Sequence, residues 1–561
     1  RNTFGNNGGA ININEYNLTS TENVVRFNYN IIEQTANDQF SVFSVDKDHS
    51  FDIDHNCIKN CSINGYMCNL NLQGHIQNNH EFTFTNLSLI GCGTYSLAGG
   101  GLGLWFLFDN KEGKLSFNNC RFENNFAGEY LQSGGCGGSF ECGSSTLHKV
   151  ELIFDNCDFI SNRAVKYGGA LAISSTKQAI ITNCRFLRNE AEEGGGAIYV
   201  YPKESQGLNL PKCTISNCNF SSNIDKSCLN GHAILFKEFT GADTEFIIEE
   251  NCQFIDNGDL QGNNLKGYTI VSAAPTFQFK DSTIRFTNIE RSTAGLKLEG
   301  SGNDGAILFQ STRDCKFINC QAENGGALYI KYEDLSLTNQ VDSTDDLVIE
   351  NCVFDNCVAS NNGGGIYLRI KTQSLNNICV NSCIFNTCKS TNNQCFDLSV
   401  LNGITFKNNT IKNMISTGNS YFGQIKNSSD IASYFHEIVL DEITFINNVC
   451  DSLFGGGNGL IIQSEKIVFN GCKFINNIAI QNKNLDEQRP QPDGIDAVYY
   501  NGDGGGIQIG YLNSTSNTDL EFISCNFTKN KASKHGGAIA IQTLKTVNII
   551  NCTFDSNIAD N

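Results

Sequence analysis

A short word recurs along this chain in a fixed order: N-C-x-F-x-x-N-x-A, then G-G-A-I-x-I. It is plainest near the C-terminus, as Cys525-Asn526-Phe527 with Asn530 and Ala532, then Gly536-Gly537-Ala538-Ile539. It begins again at Asn551-Cys552-Thr553-Phe554. Clear copies of C-x-F-x-x-N start at Cys120, Cys157, Cys184, Cys218, Cys252, Cys315, Cys352, Cys383, Cys472, Cys525 and Cys552. Weaker copies are Val25-Phe27-Asn30, Leu87-Leu89-Cys92, Ile284-Phe286, Ile404-Phe406-Asn409 and Ile443-Phe445-Asn448. With a fragment at Asn2-Phe4-Asn7 and a further copy around His55-Cys57-Asn60 they amount to roughly 18 units with a mean period of about 32 residues, the signature of a solenoid or array. In such a chain each repeat buries its apolar face only against its neighbours.

The second half of the unit reads Gly195-Gly196-Ala197-Ile198-Tyr199-Val200, Gly325-Gly326-Ala327-Leu328-Tyr329-Ile330 and Gly363-Gly364-Gly365-Ile366-Tyr367-Leu368. Apolar residues alternate there, and Cys and Phe alternate in C-x-F, as on strands with one buried face. No unit offers a helical stripe. The expected fold is therefore all-β, a single-stranded parallel β-helix with one unit per coil, continuous over 1–561. At ~4.8 Å per coil the rod would be roughly 85 Å long. The glycine pair marks a corner that needs positive φ or close backbone approach. The asparagine of F-x-x-N is expected at a second bend, since Asn tolerates left-handed backbone, with its amides bonded to one another up the stack. All five prolines fall between units, as they must if the units are paired strands. Coils 14–86 and 391–460 are less regular. The main insertions, 201–212, 258–276, 334–346 and 481–503, sit at bends, where loops on a rigid scaffold carry binding residues.

The chain has 25 cysteines and no C-x-x-C, so no zinc ribbon or thioredoxin-type pair is indicated. Eleven of them share one inward position and form a ladder, readable as small buried hydrophobes. At the F-x-x-N position, three successive units carry Cys320, Cys357 and Cys388. Stacked at strand spacing, these are disulfide candidates, as are Cys136 with Cys142 and the cluster Cys57, Cys61, Cys68. An oxidising compartment is expected. Sequons at Asn17, Asn60, Asn86, Asn219, Asn408, Asn427, Asn513, Asn526 and Asn551 point the same way. The net charge of −19 disfavours nucleic acid and anionic membrane surfaces as partners. The longest apolar run, Leu102 to Phe108, is too short to span a bilayer.

Repeated G-G-A-I and F-x-x-N together resemble the repeats of the chlamydial polymorphic outer membrane proteins, and the resemblance covers nearly the whole chain. It implies a right-handed parallel β-helix of the pectin-lyase-like kind, secreted or on a cell surface, serving in adhesion or as structural material. The sequons and asparagine richness make a protist the expected source.

The same fold hosts polygalacturonases and pectate lyases, so enzyme chemistry must be sought in residues. Asn517-Thr518-Asp519, Asp345-Asp346 and Arg369-Ile370-Lys371 match polygalacturonase words in the wrong order, and no G-H-G occurs. No H-E-x-x-H, G-x-S-x-G or Walker loop is present. His232, in Gly231-His232-Ala233-Ile234, reads as a surface residue at a bend. The expectation is a non-enzymatic surface glycoprotein without cofactor. Its partners would be further copies of itself, other surface proteins or glycans. Head-to-tail assembly would join Asn2, Phe4, Gly8, Gly9 and Ile11 to Cys552, Phe554 and Asn557, because neither end shows a cap. The alternative is a carbohydrate-binding or carbohydrate-cleaving β-helix, with Tyr199, Tyr329 and Tyr367 outward at one unit position.

Overall fold

The computed structural model describes residues 81–94, 113–128, 150–201, 212–237, 245–260, 267–286, 294–300, 309–332, 347–370, 378–400, 404–418, 421–427, 435–452, 458–480, 503–509, 518–541 and 545–560, apart from 175, 229, 275, 459 and 463. It also describes separate strands between 2 and 76 and at 102–108, 140–142 and 263–264. By contacts the chain divides into two compact units, Arg1–Thr293 and Ala294–Asn561. Each is a right-handed parallel β-helix, and neither contains a helix among its described residues.

One coil of the first unit shows how the word folds. A long strand, Val150–Asp155, ends at Asn156. Cys157 leads into Asp158–Ile160, and Ser161 turns the chain into the short strand Arg163–Ala164. Gly168 makes the last corner before Leu171–Ser174. The next coil starts at Gln178–Thr182 and repeats the path in register, with Asp158↔Arg185 and Phe159↔Phe186 facing each other. The C-x-F strands of this unit pair in parallel from Ile31–Glu33 through to Thr283–Arg285. Those of the second unit pair from Lys316–Ile318 through to Thr553–Asp555.

The corners differ from the sequence expectation in one respect. The left-handed residues are the one before the cysteine (Asn119, Asn156, Asn183, Asn217) and the one before the F-x-x-N asparagine (Asn124, Ser161, Arg188, Ser222), all with φ near +50°. The F-x-x-N asparagine itself is absent from the left-handed set. Asn162, Asn189 and Asn223 are fully buried and form the polar spine. The first glycine of each pair is left-handed, as expected: Gly168, Gly195, Gly325, Gly363, Gly504 and Gly536 have φ of 59–66°. The second is required by proximity, for a Cβ on Gly169 would lie 2.3 Å from the Gly196 carbonyl oxygen.

Two weak copies lie on a different strand of the coil from the one their pattern suggests. Ile404–Lys407 is the long strand of its coil, and the C-x-F position falls on Ile411 in Thr410–Lys412. Val24–Asn28 likewise pairs with Ser50–Asp54 as a long strand. Of the insertions, 258–276 contains a small antiparallel ladder, Asp259↔Asn264, but Tyr268–Ser272 belongs to the coil and pairs with Gly231–Phe236. Residues 202–211, 333–346 and 481–502 lie outside the described residues.

The core is a set of ladders. In the first unit Phe122, Phe159, Phe186, Phe220 and Phe254 stack at 4.8, 4.8, 4.6 and 4.6 Å between ring centroids. A second file, Phe84, Phe117 and Phe154, meets the first edge to face. In the second unit Phe445, Phe474, Phe527 and Phe554 do the same. Strand spacing of about 4.7–4.9 Å imposes the ring spacing, and the ring faces bury area that dominates the core.

Candidate functional site: the polar spine and the outer faces

Two inward ladders carry polar atoms through this core. In the first, Asn189 Nδ2 donates to the Phe159 carbonyl one coil back (2.9 Å) and to Asn223 Oδ1 (3.0 Å). Its Oδ1 accepts from the Asn162 backbone N–H (3.0 Å) and from Asn162 Nδ2 (2.9 Å). The same pattern links Asn125, Asn162, Asn223 and Asn257, and links Asn477, Asn530 and Asn557 in the second unit. Each amide thus satisfies the backbone groups that the tight bend leaves without strand partners.

The second ladder is the cysteines. Cys157 Sγ donates to the Phe117 carbonyl (3.3 Å), and its backbone N–H reaches Cys184 Sγ (3.4 Å). Cys184 and Cys218 repeat this contact with the next sulfur along. The ladder thiols are therefore both packing groups and hydrogen-bonding bridges. The two ladders exchange residues: Asn409 stands at a cysteine position and accepts from the Cys383 N–H (2.8 Å). At the asparagine position, Cys357 Sγ donates to the Phe317 carbonyl (3.5 Å) as an amide would.

The disulfide expectation is corrected here. Cys320, Cys357 and Cys388 are buried free thiols. Residues in register on parallel strands keep their Cβ atoms about a strand spacing apart, beyond the ~3.8 Å mean of a disulfide. Burial raises the pKa of Cys184, Cys357, Cys388 and Cys472, and pushes Cys213 up to about 12. The side chains of Cys57, Cys61, Cys68, Cys136 and Cys142 lie outside the described residues, although Cys57 takes the register position of Ser88. On native-state alkylation with mass mapping, half-buried Cys228, Cys379 and Cys552 should label first, and Cys184, Cys213 and Cys357 only on unfolding. Rapid labelling of Cys213, or a Cys320–Cys357 crosslink, would contradict this placement.

Outside the core, Arg185 forms a forked pair with Asp158 at 3.0 Å for both bonds. Arg163 reaches Glu190 (3.1 Å) and Glu192 (2.7 Å), and Lys226 joins the same two carboxylates. Exposed pairs of this kind contribute on the order of 0–1 kcal/mol each.

The tyrosines alternate with inward residues, as read from the sequence. Tyr329 and Tyr367 are register partners with rings 5.3 Å apart, and Lys297 lies 5.8 Å over the Tyr329 ring. Tyr199, in the first unit, is only 3% exposed. It stacks on Tyr167 (4.5 Å) and Tyr201 (4.8 Å) within a cluster with Ala172, Leu235 and Val271. Its ring is a packing element, not an open platform. His232 is also corrected: it is buried in strand Gly231–Phe236, where Nδ1 accepts from the Asp225 N–H (3.1 Å). The sequence signal for this pairing is Asp225 itself, which stands where the three preceding units have Ala127, Ala164 and Ala191.

Of the sequons, Asn219, Asn408, Asn526 and Asn551 are exposed and Asn86 is half-buried. Asn17, Asn60, Asn427 and Asn513 fall outside the described side chains. For the assembly residues, Asn2–Phe4 pairs with Thr35–Asn37 and Ile11 pairs with Phe43, while Gly8 and Gly9 are outside the described residues. Cys552 is half-buried, Asn557 donates to the Phe527 carbonyl (2.7 Å), and Phe554 is 50% exposed. The polygalacturonase-like words are scattered: Arg369-Ile370 lies in Ile366–Ile370, Thr518 and Asp519 open another coil, and Asp345-Asp346 is outside the described residues.

Among the described residues no group of three or more His, Cys, Asp or Glu is placed to hold a metal ion, and no helix is long and apolar enough to cross a membrane. The family of the Chlamydia polymorphic membrane protein repeat matches residues 524–542. No curated protein and no solved structure matches the chain. The matched family is bacterial and lends nothing to a protist source. Residues 524–542 thus carry one repeat of that family, and the stacked parallel strands on either side of it fit a β-helix built of such repeats.

Proposed function

We propose that this chain is a structural protein of a cell surface, where the β-helix acts as a stiff support that presents loops and outward side chains for adhesion. The repeat family is that of surface or outer-membrane proteins, which supports the location. The observation that carries the mechanical part is the ladder of buried amides and rings, continuous from Asn125 to Asn257 and from Phe122 to Phe254, which fixes each of these coils on the next. Such a stack places its bends at regular intervals and resists bending, as a display scaffold requires. Beads coated with the purified chain should bind the surface of partner cells, with soluble chain competing. Absence of binding above blank beads would overturn the adhesive role.

Two finer parts of the proposal have their own tests. Exposed Asn219, Asn408, Asn526 and Asn551 are the positions for N-glycans; peptide mapping of native material that found all four unmodified would remove this part. Head-to-tail stacking is the longer-range form. In that form a second copy pairs with the strand edge at Thr546–Ala559, where Phe554 and Ile558 are exposed. Electron microscopy tests it: filaments are expected, and dispersed short particles would remove head-to-tail assembly.

A further inference from the structure

We propose that the outer face of the last two glycine strands carries a subsite for a single sugar ring. Strands Ile507–Ile509 and Ile539–Ile541 pair in register, with Gln508 beside Ala540. These are the unit positions that hold Tyr329 and Tyr367 elsewhere in this unit, stacked on each other. Here the aromatic volume is missing, and a cavity of about 250 Å³ opens over Asp503, Gln508, His535, Ile539, Ala540 and Ile541.

The polar groups around it also depart from the unit. The position before the glycine pair carries Asn324 and Asn362 in other coils, and these amides satisfy each other at 3.1 Å. At the cavity the same rung is Asp503 below His535. Asp503 is 1% exposed, and its Oδ1 accepts from the His535 backbone N–H (3.0 Å) and lies 3.0 Å from Nδ1. A carboxylate only accepts, so Nδ1 carries the hydrogen, and Nε2 is left for a further hydrogen bond on an exposed side chain. Gln508 is 9% exposed, and among the described residues its Oε1 has no hydrogen-bond partner. An unpaired buried amide oxygen is a cost that a folded protein normally avoids.

The wall therefore combines the Gln508 Oε1 acceptor and the His535 ring on one side with the apolar Ile539, Ala540 and Ile541 on the other. A pyranose matches it, with hydroxyl donors along an edge and C–H groups on a face. An ammonium ligand fits less well, because two hydrogen bonds already compensate the Asp503 carboxylate. The volume is below the roughly 300–1,000 Å³ of sites for drug-sized ligands, which suits one ring. The subsite does not depend on the adhesive role proposed above.

The test uses the full chain on an array of neutral, amino and uronate-containing oligosaccharides, with saturation-transfer NMR on any hit. The wild type should bind at least one neutral glycan. Ala540→Tyr, which restores the side chain found in other coils, should weaken binding at least tenfold while leaving the melting temperature unchanged. Asp503→Asn should weaken it by a similar factor. No glycan above background, binding unchanged by Ala540→Tyr, or binding confined to ammonium compounds or divalent cations would each overturn the proposal.

Discussion

Phe186→Ala should open its own coil and leave distant coils protected. Phe186 is fully buried between Phe159 at 4.8 Å and Phe220 at 4.6 Å, with both rings nearly parallel to it. Truncation removes the ring's transfer energy and leaves a cavity that two ladder neighbours hold open, a loss of about 3–5 kcal/mol. In a repeat array stability is close to a sum of nearest-neighbour terms, so the loss is local. Hydrogen exchange of amides in Gln178–Thr182 and Arg185–Leu187 should accelerate by roughly a hundredfold or more, at about tenfold per 1.4 kcal/mol. Exchange that rose equally in every coil, or nowhere, would count against ladder packing.

Asn189→Ala should cost nearly as much although it removes no large apolar group. The amide takes part in four buried hydrogen bonds. Its loss strands the Asn162 backbone N–H and the Phe159 carbonyl, each at about 1–3 kcal/mol. Asn189→Asp keeps the acceptor but loses both donated bonds and buries a charge, so it should be no better. Asn189→Cys is the informative control. Cys357 fills the equivalent position and donates to the carbonyl of Phe317. A thiol at 189 should therefore recover much of the loss, to within about 1–2 kcal/mol of the parent. Urea-gradient proteolysis at this coil would rank the variants; a Cys variant as weak as Ala would show that the amide network matters for more than that donor.

The sequence already contained most of this architecture, since the spacing of cysteine, phenylalanine and glycine pairs reports strand, bend and corner directly. It misled wherever two strands of a coil look alike. Val25-Phe27 and Ile404-Phe406 alternate just as C-x-F does, and only pairing shows that they are long strands. The F-x-x-N asparagine was placed at the left-handed bend because Asn tolerates it. The neighbouring residue takes that conformation instead, because the amide does more when turned inward. Strand spacing brings the Cα atoms of Cys320, Cys357 and Cys388 within disulfide range, but register pairing holds their Cβ atoms too far apart for the bond. His232 was read as exposed because glycine corners usually are, and its buried link to the Asp225 backbone depends on a residue seven positions earlier. The outer faces were least legible: the same motif position carries the buried Tyr199 ring in one coil and opens on a cavity beside Gln508 in another.

The central claim is that equivalent residues of successive coils stack in register, and an experimental density map of the full chain at side-chain resolution tests it most directly. Phe122, Phe159, Phe186, Phe220 and Phe254 should form one file with centroids 4.6–4.8 Å apart, flanked by a continuous line of amides from Asn125 to Asn257. A map in which these rings belong to different sheets, or in which the asparagines point to solvent, would contradict it.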